Sequence, residues 1–296
     1  MFVDRILILI IKSFQQIFRV LPEKTCSSLG RVIGRLAFAL LQRRKNIACT
    51  NIKRVFTELT DREIVNIAKS NFEKLGINVI EFLLMPFIPG KEIPARFTIE
   101  GKEFFEEALQ KGKGAIGLTF HFGNWEVSGI ASKLLGCDIV ALARPLKRRV
   151  FLNAFLNNLR SQTGLTIIVN ENTGREVMKL LKKNKIIAIL GDQREKSSRG
   201  VFVDFFGTKV STSRGVAAIA MKTGAVVIPV YAVRKGFLRY AFVCGSPIEM
   251  ERKGNIEELI EKNMRKVNAF LETIIRQYPD EWFWVHRRWP KHSYTL

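Results

Sequence analysis

Hydrophobic positions recur at helical spacing through the first 85 residues, then give way to short β-branched runs separated by helical stretches. Pro86, Pro89 and Pro94 punctuate the change. Beyond it the pattern predicts strands over 96–100, 115–120, 138–142, 166–169, 186–190, 226–233 and 240–244. Between them it predicts helices over 102–110, 125–135, 150–163, 174–183, 212–222 and 256–277. Strand and helix in alternation imply a layered α/β domain, a largely parallel sheet flanked by helices. Functional side chains in such a sheet gather where strand C-terminal ends lead into helices. No repeat or Gly/Ser linker interrupts the chain, so it divides into a helical N-terminal extension, 1–85, and an α/β domain, 86–296.

The first 22 residues, MFVDRILILIIKSFQQIFRVLP, hold uncharged runs only over 6–11 and 13–18. A membrane span needs about 20 apolar residues, and no small-residue cleavage site follows, so a cleaved leader is not expected and a short, tilted N-terminal anchor is the lesser alternative to a peripheral helix. On a helical wheel Arg5, Lys12, Gln16 and Arg19 share one face, and Leu7, Ile10, Phe14, Phe18 and Leu21 fill the other. This is the build of a helix lying in a bilayer interface, although the same face would also serve to pack on the protein's own core.

Charge sharpens that reading. The chain carries 48 Lys and Arg against 27 Asp and Glu, a net +21. Such a surface attracts polyanions: nucleic acid, an anionic bilayer or acidic protein. Over residues 1–60 the only acids are Asp4, Glu23 and Glu58. Each Lys or Arg near an anionic leaflet contributes about 1 kcal/mol, so this segment suits a membrane surface. Cys26, Cys49, Cys137 and Cys244 are scattered, with neither metal-ligand spacing nor a disulfide framework, which fits free thiols in a reducing compartment.

Gly112-Lys-Gly114-Ala-Ile-Gly117 matches G-x-G-x-x-G, but it follows a helix and opens a strand, the reverse of a dinucleotide site. There is no phosphate-binding G-x-x-x-x-G-K-[ST] loop, no H-E-x-x-H and no G-x-S-x-G elbow. The strong candidate is His121-Phe-Gly-Asn-Trp-Glu126, at the tip of the 115–120 strand. Asn124 is placed to cap a helix whose first turn holds Trp125 and Glu126. A tight turn would return Glu126 to the imidazole, fixing one ring nitrogen as the donor and freeing the other to take a proton. Ordinary histidine titrates near ~6.5, so His121 suits a general base. No Ser or Cys nucleophile adjoins it.

HFGNWE resembles the H-x4-D/E motif of lysophospholipid-type acyltransferases, and in this form the bacterial lipid A late acyltransferases (the lauroyl and myristoyl transferases). Arg144-Pro145-Leu146 resembles that family's R-P-L block. Gly191-Asp192-Gln193 with Gly200 through Phe205-Phe206-Gly207 resembles its G-D-Q…F-F-G block. Thr223-Gly224-Ala225, Ile228-Pro229-Val230, and Tyr278-Pro279 through Trp284-Val-His286-Arg287-Arg288-Trp289 match later blocks. Arg194 and Asp204 depart from the family pattern.

The resemblance implies a glycerolipid-acyltransferase-like fold with a membrane-associating N-terminus. It implies transfer of a fatty acyl group from acyl-ACP or acyl-CoA to a hydroxyl of a lipid A precursor, at the cytoplasmic face of the bacterial inner membrane. His121 and Glu126 would be catalytic, and no metal or further cofactor is needed. Candidate substrate contacts are Asn124, Arg144, Asp192, Gln193, Arg194, Phe206, Gly207, Arg287 and Arg288. Among them, Arg144 would hold phosphates, Asp192 and Gln193 a sugar, and Arg287 and Arg288 an anion near the interface. The same chemistry on a phosphatidylinositol mannoside or a lysophospholipid is the nearest alternative. A basic nucleic-acid-binding protein is the alternative from another class, but it leaves the amphipathic N-terminus unexplained.

Overall fold

A computed structural model of the chain describes residues 2–143, 145, 148–169 and 173–294. Four helices come first: α1 (Phe2–Val20), α2 (Glu23–Leu40), α3 (Gln42–Val55) and α4 (Asp61–Leu84). Thr60 starts α4 with a capping box, its hydroxyl accepting from the Glu63 amide while the Glu63 carboxylate accepts from the Thr60 amide. Then follow α5 (Ile93–Arg96), β1 (Phe97–Glu100), α6 (Glu103–Gln110), β2 (Ala115–Thr119), α7 (Ala131–Leu135), β3 (Ile139–Ala143), α8 (Val150–Gln162), β4 (Leu165–Val169), α9 (Thr173–Lys182) and β5 (Ile186–Leu190). The hairpin β6 (Gly200–Phe205) and β7 (Thr208–Ser213), α10 (Gly215–Thr223), β8 (Val226–Gly236), β9 (Arg239–Cys244) and α11 (Ile256–Gln277) complete the order.

Seven strands form one sheet in the order β1-β9-β8-β2-β5-β3-β4, parallel throughout except for the β8–β9 pair. The central strand β2 buries Ala115 through Leu118, as a strand covered on both faces must. All seven predicted strands lie in this sheet. The β6–β7 hairpin was not anticipated. It stands apart and packs Val203, Phe205 and Val210 into the core, and pairing of Thr212 and Ser213 with its first strand delays the predicted helix at 212 until Gly215.

Helix α2 lies unusually close to α4, because a Cβ on Gly34 would sit 2.2 Å from the Phe72 carbonyl oxygen and one on Gly76 2.1 Å from that of Gly30. Helices α3 and α4 join the core of the sheet domain: Ala48, Ile52 and Phe72 cluster with Trp282, Trp284 and Trp289. Asn51 donates to the Trp284 and His286 carbonyls at 2.7 and 2.9 Å.

Helix α1 has two apolar faces where one was expected. Leu7, Ile8, Ile11 and Phe18 turn inward, the Gln15 amide donates to the Leu83 carbonyl, and buried Asp4 pairs with Arg149 at 3.0 Å. Val3, Ile6, Leu9, Ile10, Phe14, Ile17 and Val20 remain exposed on the outside. The wheel drawn from sequence mixed these sets, because Leu7 and Phe18 belong to the inner face and Ile10 and Phe14 to the outer. No helix among the described residues is long and apolar enough to cross a membrane.

Candidate active site

Strands β2 and β5 are parallel neighbours in a register that pairs Thr119 with Leu190. Two residues beyond each, His121 and Asp192 therefore emerge side by side. The Gly191 amide extends the ladder, donating to the Thr119 carbonyl at 2.9 Å. His121 Nδ1 lies 2.7 Å from Asp192 Oδ1, and Asp192 Oδ2 accepts from the His121 amide at 3.0 Å and from Trp282 Nε1 at 2.9 Å. Trp282 arrives on the C-terminal segment, which runs along the turn: the Gly123 amide donates to the Glu281 carbonyl and the Phe283 amide to the His121 carbonyl, both at 2.9 Å. Gly123 makes this possible, with φ +59 and a position where a Cβ would meet the Ala232 carbonyl at 2.3 Å.

The electrostatics of the pair follow from burial and proximity. Burial alone would push the Asp192 carboxyl up; the His121 charge, with hydrogen bonds from His121 and Trp282, outweighs it and holds the group well below the usual carboxylate range. Burial alone would push His121 down, but attraction to Asp192, and in lesser part to Glu126, raises it above its ordinary 6.5. Asp192 is an acceptor only, so His121 Nδ1 carries a proton and Nε2 keeps the lone pair of the neutral ring. Gln193 Nε2 lies 3.2 Å from that nitrogen. Trp125 and Phe283 border the ring, with centroids 5.0 and 5.9 Å away, and His121 itself is 8% exposed.

Glu126 is not the carboxylate on the imidazole. It opens a 3-10 helix, Trp125–Ile130, and is gripped in a fork by Arg160 of α8: Nε to Oε2 and Nη2 to Oε1, both 2.8 Å. A bidentate arginine is the stronger partner for a carboxylate, and Arg160 carries no motif that the sequence would have marked. Asn124 is buried rather than open to substrate. Its amide donates to Glu81 at 2.9 Å and its side chain makes no cap to the helix that follows.

Glu81, also unmarked by the sequence, is a hub beneath the turn. Its carboxylate accepts from Asn124, from Arg234 Nη1 at 2.6 Å, from the Leu238 amide at 2.7 Å and from Tyr240 Oη at 2.5 Å. Asn78 donates to the Gly123 carbonyl at 2.8 Å and accepts from Arg234. The segment joining His121 to Glu126 is thus clamped from below.

Arg288 is wholly buried and so cannot grip an anion at the surface. It donates to the Ser211 carbonyl, Thr212 Oγ1 and Asn268 Oδ1, and lies over the Phe205 ring. Burial pushes its guanidinium down to about 10, against the pull of Asp192. Arg287 is half-buried over Tyr294. Phe206 and Gly207, with φ +50 and +71, form the two-residue turn of the β6–β7 hairpin, a conformation that suits Gly207. Arg194 bridges to Thr212 on the same hairpin. Arg144 lies outside the described residues. Asp192 and Gln193, which the sequence assigned to a sugar, instead stand against the two ring nitrogens of His121.

Two cavities of about 470 and about 300 Å³ lie between α2 and the β8–β9 turn, both lined by Ser27, Arg31 and Phe237; the smaller also reaches α4, and neither is lined by His121. Among the described residues no group of His, Cys, Asp and Glu is arranged to hold a metal ion.

Residues 3–291 match the family model described as bacterial lipid A biosynthesis acyltransferase. The chain is 26% identical to the lipid A biosynthesis palmitoleoyltransferase of Escherichia coli (strain K12), over 90% of this chain and 86% of the relative. It is 24% identical to the lipid A biosynthesis lauroyltransferase of the same organism, again over 90% and 86%. A phosphatidylinositol mannoside acyltransferase of Mycobacterium tuberculosis (strain ATCC 25618 / H37Rv) is 25% identical over 56% of this chain and 54% of the relative.

Proposed function

Because the chain belongs to the bacterial lipid A biosynthesis acyltransferase family, we propose that it is an enzyme moving a fatty acyl group from an acyl thioester to a hydroxyl of a lipid A precursor. The observation that carries the mechanism is the buried Asp192 carboxylate 2.7 Å from His121 Nδ1. With that nitrogen held as a donor, Nε2 takes the proton of the acceptor hydroxyl as its oxygen attacks the thioester carbonyl. The tetrahedral intermediate expels the thiolate by breaking the C–S bond, and the imidazolium returns its proton to that sulfur. Asp192 stabilises the transient imidazolium. Glu126 serves by fixing the Arg160 guanidinium, a cation suited to the oxyanion that develops on the carbonyl oxygen.

The donor is acyl-ACP or acyl-CoA; an acidic carrier protein suits a surface of net +21. Residues 1–85 are the membrane-associating part and 86–296 the catalytic part. Helix α1 exposes an apolar outer face, and α2 likewise exposes Leu29, Val32, Ile33, Leu36 and Leu40, with Arg31, Arg35, Arg43, Arg44 and Lys45 close by in sequence. Apolar faces bordered by cations suit the cytoplasmic face of an anionic inner membrane. A second reading, the same chemistry on a phosphatidylinositol mannoside, draws on the mycobacterial relative.

The test is to incubate purified protein with labelled acyl-ACP and a lipid A precursor beside a His121→Ala control. Acylated product from the wild type and almost none from the control is expected. Wild-type protein inactive on this acceptor but active on a phosphatidylinositol mannoside would select the second reading.

A further inference from the structure

The lone pair that the proposed reaction needs is already taken. With Nδ1 committed to Asp192, the position facing His121 Nε2 is held by the Gln193 amide, 3.2 Å away. An acceptor hydroxyl giving up its proton must approach that nitrogen to hydrogen-bond distance, so the two cannot be there together. The residues on either side differ in their freedom to move. Asp192 is wholly buried and takes hydrogen bonds on both oxygens, whereas Gln193, the next residue, is exposed. Among the described residues its side chain hydrogen-bonds to His121 alone, and rotation about its own side-chain bonds would carry the amide into solvent.

We propose that Gln193 is a latch on the general base: its amide occupies the acceptor's position at Nε2 in the empty enzyme and is displaced when the acceptor hydroxyl binds. It is a positioning residue rather than a catalytic one. It keeps the neutral tautomer with Nε2 unprotonated by donating to that nitrogen, and it covers the nitrogen until an acceptor competes for it. The cost falls on acceptor affinity. Breaking one neutral hydrogen bond to bind the acceptor weakens apparent affinity about 3- to 10-fold. The latch rests on the general-base reading above, but its test does not require turnover.

Diethyl pyrocarbonate acylates unprotonated imidazole nitrogen, and the chain has only three histidines, so modification of His121, His286 and His292 is separable by peptide mass. The comparison is wild type, Gln193→Met (similar length, no amide) and Gln193→Ala, at a pH where His121 is largely neutral. Both variants are expected to modify at His121 about 3- to 10-fold faster than wild type, with His286 and His292 unchanged as controls for folding. Equal His121 rates in all three proteins would overturn the latch, and so would acceleration in Gln193→Ala alone, which would make the cover merely steric. In the transfer assay Gln193→Met is expected to lower the acceptor KM by the same factor; a KM raised about tenfold with no change in modification would instead make Gln193 a sugar-binding residue. Gln193→Glu supplies a third readout. A carboxylate at Nε2 favours the imidazolium and moves the acid limb of the rate profile up by about one pH unit or more. Wild-type protein without transfer activity would refute the proposed reaction, while the modification rates would still decide the latch.

Discussion

Replacing Asp192 with Asn changes one atom and should disable the base. Two donors, the His121 amide and Trp282 Nε1, converge on Asp192 Oδ2 at 3.0 and 2.9 Å. Only an oxygen satisfies both, so the new amide must place its oxygen there and its NH2 against His121 Nδ1. The imidazole can accept from that group only by giving up the Nδ1 proton, which moves the hydrogen to Nε2. The base then presents a proton where it needs a lone pair. Inverting the tautomer of a catalytic histidine in this way costs about 10³- to 10⁴-fold in kcat, which corresponds to about 4 to 5.5 kcal/mol. The pH profile gives an independent check. In the wild type attraction to Asp192 raises His121 above 6.5, so activity should fall on the acid side of a limb above that value. Without the carboxylate, burial is opposed only by the lesser attraction to Glu126, and the residual activity should titrate at lower pH than in the wild type. The assay is single-turnover transfer from labelled acyl-ACP across pH 5 to 9, with thermal unfolding to confirm that the variant is folded. An Asp192→Asn enzyme within about threefold of wild-type kcat/KM and with an unmoved acid limb would refute the reasoning.

Three further outcomes follow from neighbouring contacts. Glu126→Gln and Arg160→Met should each lower kcat about 10²-fold, and the double variant should be no worse than either, since the two act as one unit; the acid limb should move less than in Asp192→Asn. Glu81→Ala strands Arg234, Tyr240, Asn124 and the Leu238 amide, so a loss of about 3 to 5 kcal/mol is expected in denaturant unfolding. Ile17→Glu on the exposed outer face of α1 should weaken co-sedimentation with anionic vesicles about tenfold or more, while leaving thermal stability nearly unchanged.

What could be read before the structure divides along a physical line. Period and punctuation located all seven sheet strands, because a parallel sheet covered on both faces makes its strands conspicuous apolar runs between turn residues. Strand order was not legible, and order is what decides the site. His121 and Asp192 are 71 residues apart, and they meet only because β5 lies beside β2 in the register that pairs Thr119 with Leu190. Local reasoning therefore gave the imidazole to the nearest acid in sequence. Glu126 is five positions on, but Arg160, reached from α8 across 34 residues, claims it with two charged hydrogen bonds. The β6–β7 hairpin was hidden for the opposite reason. In its first strand only Val203 and Phe205 are buried, and the buried run of its second strand, Val210-Ser211-Thr212, is mostly polar, so neither stands out as an apolar strand. At α1 the error was one of counting faces. A helix that packs inward on Leu7, Ile11 and Phe18 and exposes Ile10, Phe14 and Ile17 has a broad apolar arc, and a single-moment reading merges its buried and its exposed part into one face. The histidine could be singled out because its signal is local: strand end, turn and rarity coincide within six residues. Its neighbour Asp192 could not, because a pair carried on two strands is assembled by topology, and topology is the part of the fold that no window along the chain contains.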